Sequence, residues 1–159
     1  MTNIPDSDFK KVLSSVPLVS IDLCLYSESQ ILLGYKNNQP AKDFWFTPGG
    51  RIIKNESWQS ALSRIAKNEL GLELNPDLPS LMGVWDHFYD NSVISNTIST
   101  HYVNLPHFIK LPSKLNAHHD NQHNSLQWWC LGDALESPKV HKYVKPYLIW
   151  ILEKEKTCN

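Results

Sequence analysis

The segment GRIIKNESWQSALSRIAKNELGL, residues 50–72, contains the clearest periodic pattern in the chain. From residue 56 to residue 70 its apolar side chains recur at steps of three and four, which predicts an amphipathic helix. Asn55 or Ser57 is a suitable N-cap, and Gly71 supplies the usual C-terminal stop. The apolar stripe of the predicted helix consists of Trp58, Ala61, Leu62, Ile65 and Ala66.

Glu69 continues this apolar stripe, although a carboxylate is an unusual residue to place there. Burying an unpaired carboxylate carries a large free-energy penalty, and the negative end of the helix dipole adds a smaller one. Either the last helical turn emerges into solvent, or a cation lies beside the carboxylate. The period of the sequence leaves both interpretations open.

Strands are predicted on both sides of this helix. LVSIDLCLY, residues 18–26, alternates between two faces, and QILLGYK, residues 30–36, follows as a second strand. FWFTPGGRII, residues 44–53, predicts a strand that is broken by its Pro-Gly-Gly turn. We therefore predict an α/β (α+β) fold in which a mixed β-sheet is sandwiched between α-helices, in a single domain over residues 1–159. The other predicted elements are strands in LMGVWDHFY, STHYVNLPHFI and SLQWWCL and helices in DFKKVLSSVP and PYLIWILEKEK.

The composition of the 159 residues is that of an ordinary globular protein, with 42% hydrophobic and 19% charged residues. The formal net charge of -1 gives no general reason to expect nucleic acid or an anionic membrane surface as a partner. The N-terminal sequence lacks the apolar core of a signal peptide. The nearest apolar stretch, VPLVSIDLCLY, is too short to span a bilayer.

Three cysteines, Cys24, Cys130 and Cys158, are far apart in the sequence and form no CxxC pair. An odd number of widely separated cysteines does not suit a disulfide framework. We therefore expect the protein to work in a reducing compartment, which makes the cytoplasm its predicted location.

The segment from residue 50 to residue 72 resembles the Nudix box, in which Gly, Glu, Arg, further acids and a final Gly recur at fixed spacing. In that family, carboxylates at the end of the helix hold a divalent cation against a diphosphate. The resemblance therefore implies the Nudix fold, and it implies that Glu69 binds Mg²⁺, with Mn²⁺ as the other possible ion. The positions that match in register are Gly50, Glu56, Arg64, Glu69, Gly71 and Leu72.

Two acids of the box are missing, because Ile65 and Asn68 occupy their positions. In ordinary Nudix enzymes these acids help to bind metals and to activate water for attack on phosphorus. Their absence suits a site that only binds its ligand. It also suits a reaction in which the metal does not generate the nucleophile.

The Nudix box without these two acids and several segments outside it resemble the GDP-mannose mannosyl hydrolases, a Nudix subfamily. In these enzymes water attacks carbon 1 of the sugar, GDP departs, and a histidine outside the box acts as the base. The resemblance implies Mg²⁺-dependent hydrolysis of GDP-mannose to GDP and mannose, with inversion at carbon 1. The resembling segments are PLVSID (17–22), NQPAKDFWFTPGGR (38–51), RIAKNELGL (64–72), GVWDHFYD (83–90), THYV (100–103) and DNQHNSLQWW (120–129).

Carried over position by position, the resemblance implies three metal ligands: Glu69, Gln122 and the backbone carbonyl of Gly49. It implies that His123 is the general base. The usual histidine pKa of about 6.5 suits removal of a proton from water near neutrality. Without the resemblance, the usual interpretation of a histidine in a loop is a solvated side chain and not a general base.

Arg51 and Arg64 are implied to hold the departing diphosphate, because a guanidinium binds phosphate oxygens in a bidentate manner. Arg64 on the flank of a helix could otherwise be a solvated surface charge. Tyr102 is implied to donate a hydrogen bond to a phosphate, although an aromatic residue in a strand usually belongs to the core. Lys36 stands where the subfamily usually has Arg, and lysine keeps the charge but loses the planar fork.

Asp22, His87 and Tyr89 correspond to positions that contact the sugar in the resembled enzymes. The alternation of His87 and Tyr89 places them on one face of a strand, which could equally be a polar surface of the sheet. Members of the subfamily form dimers in which N-terminal residues reach toward the neighbour's site. The resemblance therefore implies a homodimer in which Asp8 and Phe9 have this role.

Two other functions stay open. A pyrophosphohydrolase would cut a nucleoside diphosphate derivative at phosphorus, and the absent acids at Ile65 and Asn68 argue against it. A non-catalytic Nudix domain would only bind a nucleotide sugar, and the retention of His123 and the other site residues argues against it. The histidines of residues 118–123 match no familiar zinc spacing, so a polar loop explains them better than a zinc site.

Overall fold

A computed structural model describes residues 4–116 and 123–157 of the chain. Among these residues, eight strands form one mixed sheet, and helices pack on both of its faces. The predicted fold class, a mixed sheet sandwiched between helices, is therefore confirmed. No helix in the described part is both long and apolar enough to cross a membrane. In chain order the elements are α1 (Asp6–Ser15), β1 (Leu18–Ser27), β2 (Gln30–Lys36), β3 (Trp45–Phe46), β4 (Gly49–Arg51), α2 (Trp58–Leu70), β5 (Ser80–Leu81), β6 (Trp85–Tyr89), β7 (Thr100–Lys110), β8 (His123–Cys130), α3 (Leu131–Glu136) and α4 (Lys145–Thr157).

Strand β1 runs through the middle of the sheet and fixes the positions of its neighbours. It pairs in parallel with β7, where Ser20 lies opposite Asn104. It also pairs antiparallel with β4, where Asp22 lies opposite Gly49, and with β2. Strand β8 extends the sheet beyond β2, and β6 pairs with β7. The pairing of β1 therefore brings polar residues of three strands close together.

The side chains of β1 alternate between the two faces of the sheet, as the sequence predicts, and the structure shows that each face belongs to a separate hydrophobic core. Ile21, Leu23 and Leu25 belong to a core that contains the apolar face of α2. Cys24 and Tyr26 belong to a second core that contains residues of α3 and α4. The sheet is consequently covered on both faces, which positions α2 on one side and α4 on the other.

Helix α2 has the ends that its sequence predicts. Ser57 is the N-cap, and its hydroxyl accepts a hydrogen bond from the backbone N–H of Ser60 at 3.1 Å. Gly71 is the C-cap and has a φ of 63°, a left-handed conformation that glycine adopts without strain. The end of α2, and with it the position of Glu69, is therefore set by local sequence.

The predicted place of Trp58 in the buried stripe is wrong, because its side chain is 47% exposed and stacks on the ring of His107. Trp58 is the first residue of α2, and the buried stripe begins one turn later, at Ala61. Sequence reasoning also missed α3, because six residues are too few to display a helical period. The strand predicted from LMGVWDHFY is two short strands, β5 and β6.

Lys145 joins the ends of α3 and α4, and its removal is expected to destabilise the fold. Its ammonium group donates hydrogen bonds of 2.6, 2.7 and 2.6 Å to the carbonyls of Ala134, Leu135 and Ser137. These carbonyls lie at the C-terminal end of α3, where backbone carbonyls have no hydrogen-bond donor within the helix and the helix dipole favours a cation. We expect Lys145→Met to lower the free energy of unfolding by about 2 kcal/mol, measured by urea denaturation.

Lys139→Met is the matched control for this substitution, because Lys139 is exposed. Its free energy of unfolding should stay within about 0.5 kcal/mol of wild type. Equal stability of the two variants would show that the three hydrogen bonds of Lys145 contribute nothing to the fold.

Candidate functional site

A single pocket with a volume of about 250 Å³ collects most of the predicted site residues. It lies where β1, β4 and the C-terminal end of α2 meet. Polar and charged side chains dominate its wall, which suits a charged or hydroxyl-rich ligand. The predicted residues that line it are Asp22, Lys36, Gly49, Arg51, Glu69, His87, Tyr89 and Tyr102.

Glu69 is buried in the last turn of α2 and lines the pocket. Gly49 lies in the same wall, and a Cβ added there would lie 2.5 Å from the carbonyl oxygen of Ile21 and 2.6 Å from Oδ1 of Asp22. Only glycine therefore lets β4 approach β1 so closely at this point. This close approach brings a backbone segment with carbonyl oxygens to the same wall as the Glu69 carboxylate.

The donor atoms at this end of the pocket suit a hard divalent cation. Mg²⁺ and Mn²⁺ prefer oxygen ligands such as the carboxylate of Glu69 and the carbonyl of Gly49. The third predicted ligand, Gln122, lies outside the described residues. Within residues 4–116 and 123–157 there is no group of three His, Cys, Asp or Glu side chains that could hold a metal. Mg²⁺ usually keeps several water ligands and binds substrate phosphates at its remaining positions.

Arg64 does not line the pocket, and its guanidinium is engaged by its own chain. It donates to Glu56 through Nε at 2.6 Å and Nη2 at 2.8 Å, and to the carbonyl oxygen of Arg51 at 2.9 Å. Glu56 also accepts a hydrogen bond from the backbone N–H of Ile53. The hydrogen bond from Arg64 lowers the pKa of Glu56. Arg64 thus ties the loop before α2 to the backbone of Arg51.

Arg51 lines the pocket, and none of the salt bridges in the described part of the chain involves its guanidinium. Its guanidinium carbon lies 4.6 Å from the centre of the Phe9 ring, and Phe9 is itself buried. Asp8, the neighbour of Phe9, is exposed and pairs with Lys11 at 3.3 Å. Phe9 therefore supports Arg51 of its own chain, and a role of Asp8 and Phe9 at a neighbour's site stays a prediction.

Lys36 and Asp22 face the same pocket with opposite charges. Burial lowers the pKa of Lys36, and the carboxylates of Asp22 and Glu69 oppose this effect. Burial raises the pKa of Asp22 to about 6, although hydrogen bonds from Asn104 and Tyr147 oppose the rise. The pocket wall therefore contains the Lys36 ammonium group together with the carboxyl groups of Asp22 and Glu69, in a poorly hydrated environment where charges interact strongly.

Asp22 and His87 belong to a buried hydrogen-bond network that sequence reasoning missed. Oδ2 of Asp22 accepts hydrogen bonds from Nδ2 of Asn104 and from the hydroxyl of Tyr147, the latter at 2.9 Å. The Tyr147 oxygen also lies 2.6 Å from Nδ2 of Asn104 and 3.1 Å from Nε2 of His87. The position of Asn104, two residues after Tyr102 on one strand face, was the sequence signal that could have indicated it.

The polar-surface interpretation of His87 is excluded by its burial, since only 3% of the residue is exposed. Its ring stacks on Tyr143 with a centroid distance of 4.2 Å and an interplanar angle of 2°. Burial and the neighbouring His141 lower the pKa of His87 to about 4. Burial raises the pKa of both Tyr89 and Tyr102, so their hydroxyls are neutral donors.

His123 is the first residue of β8, and its backbone lies opposite Lys36 of β2. Lys36 lines the pocket, so β8 enters the sheet beside the candidate site. The side chain of His123 lies outside the described part of the structure. Its role as a general base therefore stays a prediction.

Comparison with known proteins gives a consistent set of similarities. Residues 16–151 match the family described as the NUDIX domain. The "Low-salt glycan biosynthesis protein Agl8" of Haloferax volcanii is 38% identical over 149 residues, which cover 92% of this chain and 90% of that protein.

Two solved structures have similar folds at low sequence identity. A MutT NUDIX hydrolase from Burkholderia pseudomallei matches with a TM-score of 0.70 and 23% identity, over 86% of this chain and 99% of that one. The NUDIX domain of Shewanella oneidensis NrtR, complexed with ADP ribose, matches with a TM-score of 0.69 and 16% identity. That match covers 96% of this chain and 94% of the other.

Proposed function

The chain belongs to the Nudix hydrolase family, and from this premise we propose that it hydrolyses GDP-mannose to GDP and mannose. In this proposal a single domain acts with Mg²⁺, or with Mn²⁺ in its place. Water attacks carbon 1 of the sugar on the face opposite GDP, which inverts the anomeric configuration. The protein works as a cytoplasmic homodimer, and sedimentation of the purified protein tests its oligomeric state.

The observation that carries the proposal is that one pocket collects two kinds of chemical groups. Arg51 and Lys36 supply cationic groups, which suit the oxygens of a diphosphate. Asp22, His87 and Tyr89 supply neutral and anionic hydrogen-bonding groups, which suit sugar hydroxyls. A nucleotide sugar contains both parts joined at the bond that would be cleaved.

The two substituted box positions favour attack on carbon over attack on phosphorus. Ile65 is 2% exposed and belongs to the apolar core beneath α2, so it provides nothing to the pocket. Asn68 is exposed and carries no charge. The described part of α2 therefore presents one carboxylate, Glu69, to the pocket. A pyrophosphohydrolase mechanism would lack the acids that activate water beside phosphorus.

The residues of the chain have separate tasks in the proposed reaction. Glu69, Gln122 and the backbone carbonyl of Gly49 would hold a divalent cation, which would neutralise charge on the diphosphate leaving group. Arg51 binds the phosphate oxygens, on which negative charge increases as the glycosidic bond breaks. His123 accepts a proton from the water whose oxygen bonds to carbon 1, while the electrons of the broken bond go to GDP.

A groove beside the pocket provides room for the remainder of a nucleotide. The pocket alone is smaller than the roughly 300–1,000 Å³ of usual small-molecule sites. A groove of about 580 Å³ continues from it and shares Asn37, Asn38, Gln39 and Val93 with its wall. Apart from Lys42, the groove is lined by uncharged residues that mostly carry amide and hydroxyl groups, which can form hydrogen bonds with a base and a ribose.

The similarity to the Haloferax protein supports a nucleotide sugar as the substrate class. The name of that relative refers to glycan biosynthesis. Glycans are assembled from activated sugars, and GDP-mannose is one of them. We extend this association to the present chain as part of the proposal.

Hydrolysis in oxygen-18 water tests the site of attack directly. The protein is incubated with GDP-mannose and Mg²⁺, the products are separated, and the oxygen-18 content of each is measured by mass spectrometry. We expect label in mannose and none in GDP. Label in phosphate, with GMP and mannose 1-phosphate as products, would establish the pyrophosphohydrolase instead. Binding by calorimetry without any product would establish a non-catalytic domain.

Arg51→Met is expected to lower kcat/KM for GDP-mannose roughly tenfold to hundredfold, because a charged bidentate contact with the diphosphate is lost. Arg51→Lys should give an intermediate kcat/KM, since lysine keeps the charge but not the fork. Lys54→Met is the matched control, because it removes an exposed cation three residues further on. Steady-state kinetics with unchanged kcat/KM in Arg51→Met would remove Arg51 from the phosphate site.

A further inference from the structure

Tyr147 on α4 connects two polar residues of the pocket although it does not line the pocket itself. It is completely buried, and its hydroxyl lies within hydrogen-bond distance of Asp22, Asn104 and His87. A phenol hydroxyl has one proton to donate and two lone pairs that accept. Three neighbours and three hydrogen-bonding positions leave a single arrangement of the protons.

The orientation of the Asn104 amide is fixed by its other contacts. Its Oδ1 accepts a hydrogen bond from the hydroxyl of Ser20 at 3.1 Å, while its Nδ2 donates to Oδ2 of Asp22. A flipped amide would place its oxygen against the carboxylate, which is repulsive. Nδ2 of Asn104 therefore also donates to Tyr147, and one lone pair of the phenol oxygen is used.

The remaining two neighbours then have defined roles. Ionised Asp22 can only accept, so it takes the proton of the Tyr147 hydroxyl. His87 must consequently donate from Nε2 to the second lone pair of the phenol oxygen. Because a neutral imidazole carries one N–H group, the proton on Nε2 leaves Nδ1 as an acceptor.

We propose that Tyr147 is a positioning residue that holds His87 in the Nε2–H tautomer, so that Nδ1 of His87 accepts a hydrogen bond from a hydroxyl of the substrate sugar. The identity of the hydroxyl donor rests on the proposed function, whereas the tautomer does not. Together with the neighbouring carboxylate of Asp22, Nδ1 forms a pair of acceptors that selects a ligand with two hydroxyl groups.

Further contacts keep the His87 ring in this position. Tyr143 stacks on the ring in a nearly parallel arrangement. The hydroxyl of Tyr143 is itself tied to the backbone of Phe88, since it donates to the carbonyl and accepts from the N–H, both at 2.8 Å. Within the described part of the chain, no group forms a hydrogen bond with Nδ1 of His87, which leaves this atom for a ligand.

The tautomer can be observed without any substrate. Protein labelled with ¹⁵N-histidine is studied by long-range ¹H–¹⁵N correlation at an alkaline pH, and the His87 signals are assigned with His87→Gln. We expect the wild type to show a protonated Nε2 and an unprotonated Nδ1. A protonated Nδ1 in the wild type would overturn the inference, whether or not any variant folds.

Tyr147→Phe keeps the buried ring and removes only the hydroxyl. Nε2–H of His87 then has no phenol acceptor, so we expect the Nδ1–H tautomer to increase in the same spectrum. Tyr26→Phe is the matched control, because Tyr26 is a buried tyrosine of the same core and has no contact with Asp22 or His87. A Tyr147→Phe spectrum identical to wild type would overturn the inference.

Kinetics then test the link to the sugar. We expect Tyr147→Phe to lower kcat/KM for GDP-mannose roughly tenfold to hundredfold, with the affinity for GDP within about twofold of wild type. Tyr26→Phe should retain wild-type kinetics. If Tyr147→Phe lost affinity for GDP by the same factor as it lost kcat/KM, Tyr147 would have only a general structural role. If the wild-type protein did not hydrolyse GDP-mannose, the proposed function would be contradicted. The NMR spectra would still determine the tautomer of His87.

Discussion

Glu69→Gln is expected to lower kcat/KM for GDP-mannose about a thousandfold while the protein remains folded. Gln has nearly the same shape as Glu but lacks the negative charge that a divalent cation requires. Glu69 is the one acid that the described part of α2 directs into the pocket, so no neighbour on that helix can replace it. Steady-state kinetics over a range of Mg²⁺ concentrations measures the loss.

Thermal unfolding separates a metal-binding role of Glu69 from other reasons for lost activity. A ligand that binds only the folded state raises the melting temperature, so Mg²⁺ should stabilise wild type and leave Glu69→Gln unchanged. The control is Glu73→Gln, which neutralises an exposed acid that pairs with Lys67 at 2.6 Å. Undiminished turnover in Glu69→Gln would end the proposed role of this residue.

His123→Gln is expected to lower kcat roughly a hundredfold to ten-thousandfold, because a general base acts in the chemical step. KM should change little, since His123 is proposed to touch water and not to hold the nucleotide. The structural reason to test this residue is the register of β8, which places the His123 backbone opposite Lys36 at the pocket. Rapid-quench kinetics at saturating GDP-mannose measures the chemical step directly.

His101→Gln is the control for that measurement. His101 lies on β7 and pairs with Asp86 at 2.8 Å, and it does not line the pocket. Its replacement should leave kcat within about twofold of wild type. If His123→Gln retained wild-type kcat, another group would have to accept the proton from water.

The layers of the fold could be predicted because they follow from local periodicity. The three- and four-residue steps of α2 define its buried face, and the alternation of β1 places Ile21, Leu23 and Leu25 on the side of the sheet that packs against this face. The caps of α2 at Ser57 and Gly71 are also local signals. The same period left open whether Glu69 is solvated, and its burial is a finding of the structure. Its proposed chemistry was indicated by resemblance to the Nudix box.

The network around Asp22 could not be predicted, because its members are far apart in sequence. Asp22 is separated by 82 residues from Asn104 and by 125 residues from Tyr147. Tyr147 also lies among apolar residues in α4, where its ring fits the core and nothing marks its hydroxyl. Arg64 was similarly ambiguous, since spacing alone does not tell whether a guanidinium holds a ligand or a neighbouring carboxylate.

The packing of Ile65 against the backbone of Gly50 limits how the missing acid could be engineered into this chain. A Cβ at Gly50 would lie 3.2 Å from Cγ1 of Ile65, so the two positions already fill the space between β4 and α2. Ile65→Glu alone would place a charge in a dry interior, and we expect it to destabilise the fold. A complete Nudix box could therefore be installed only together with compensating substitutions in the neighbouring core.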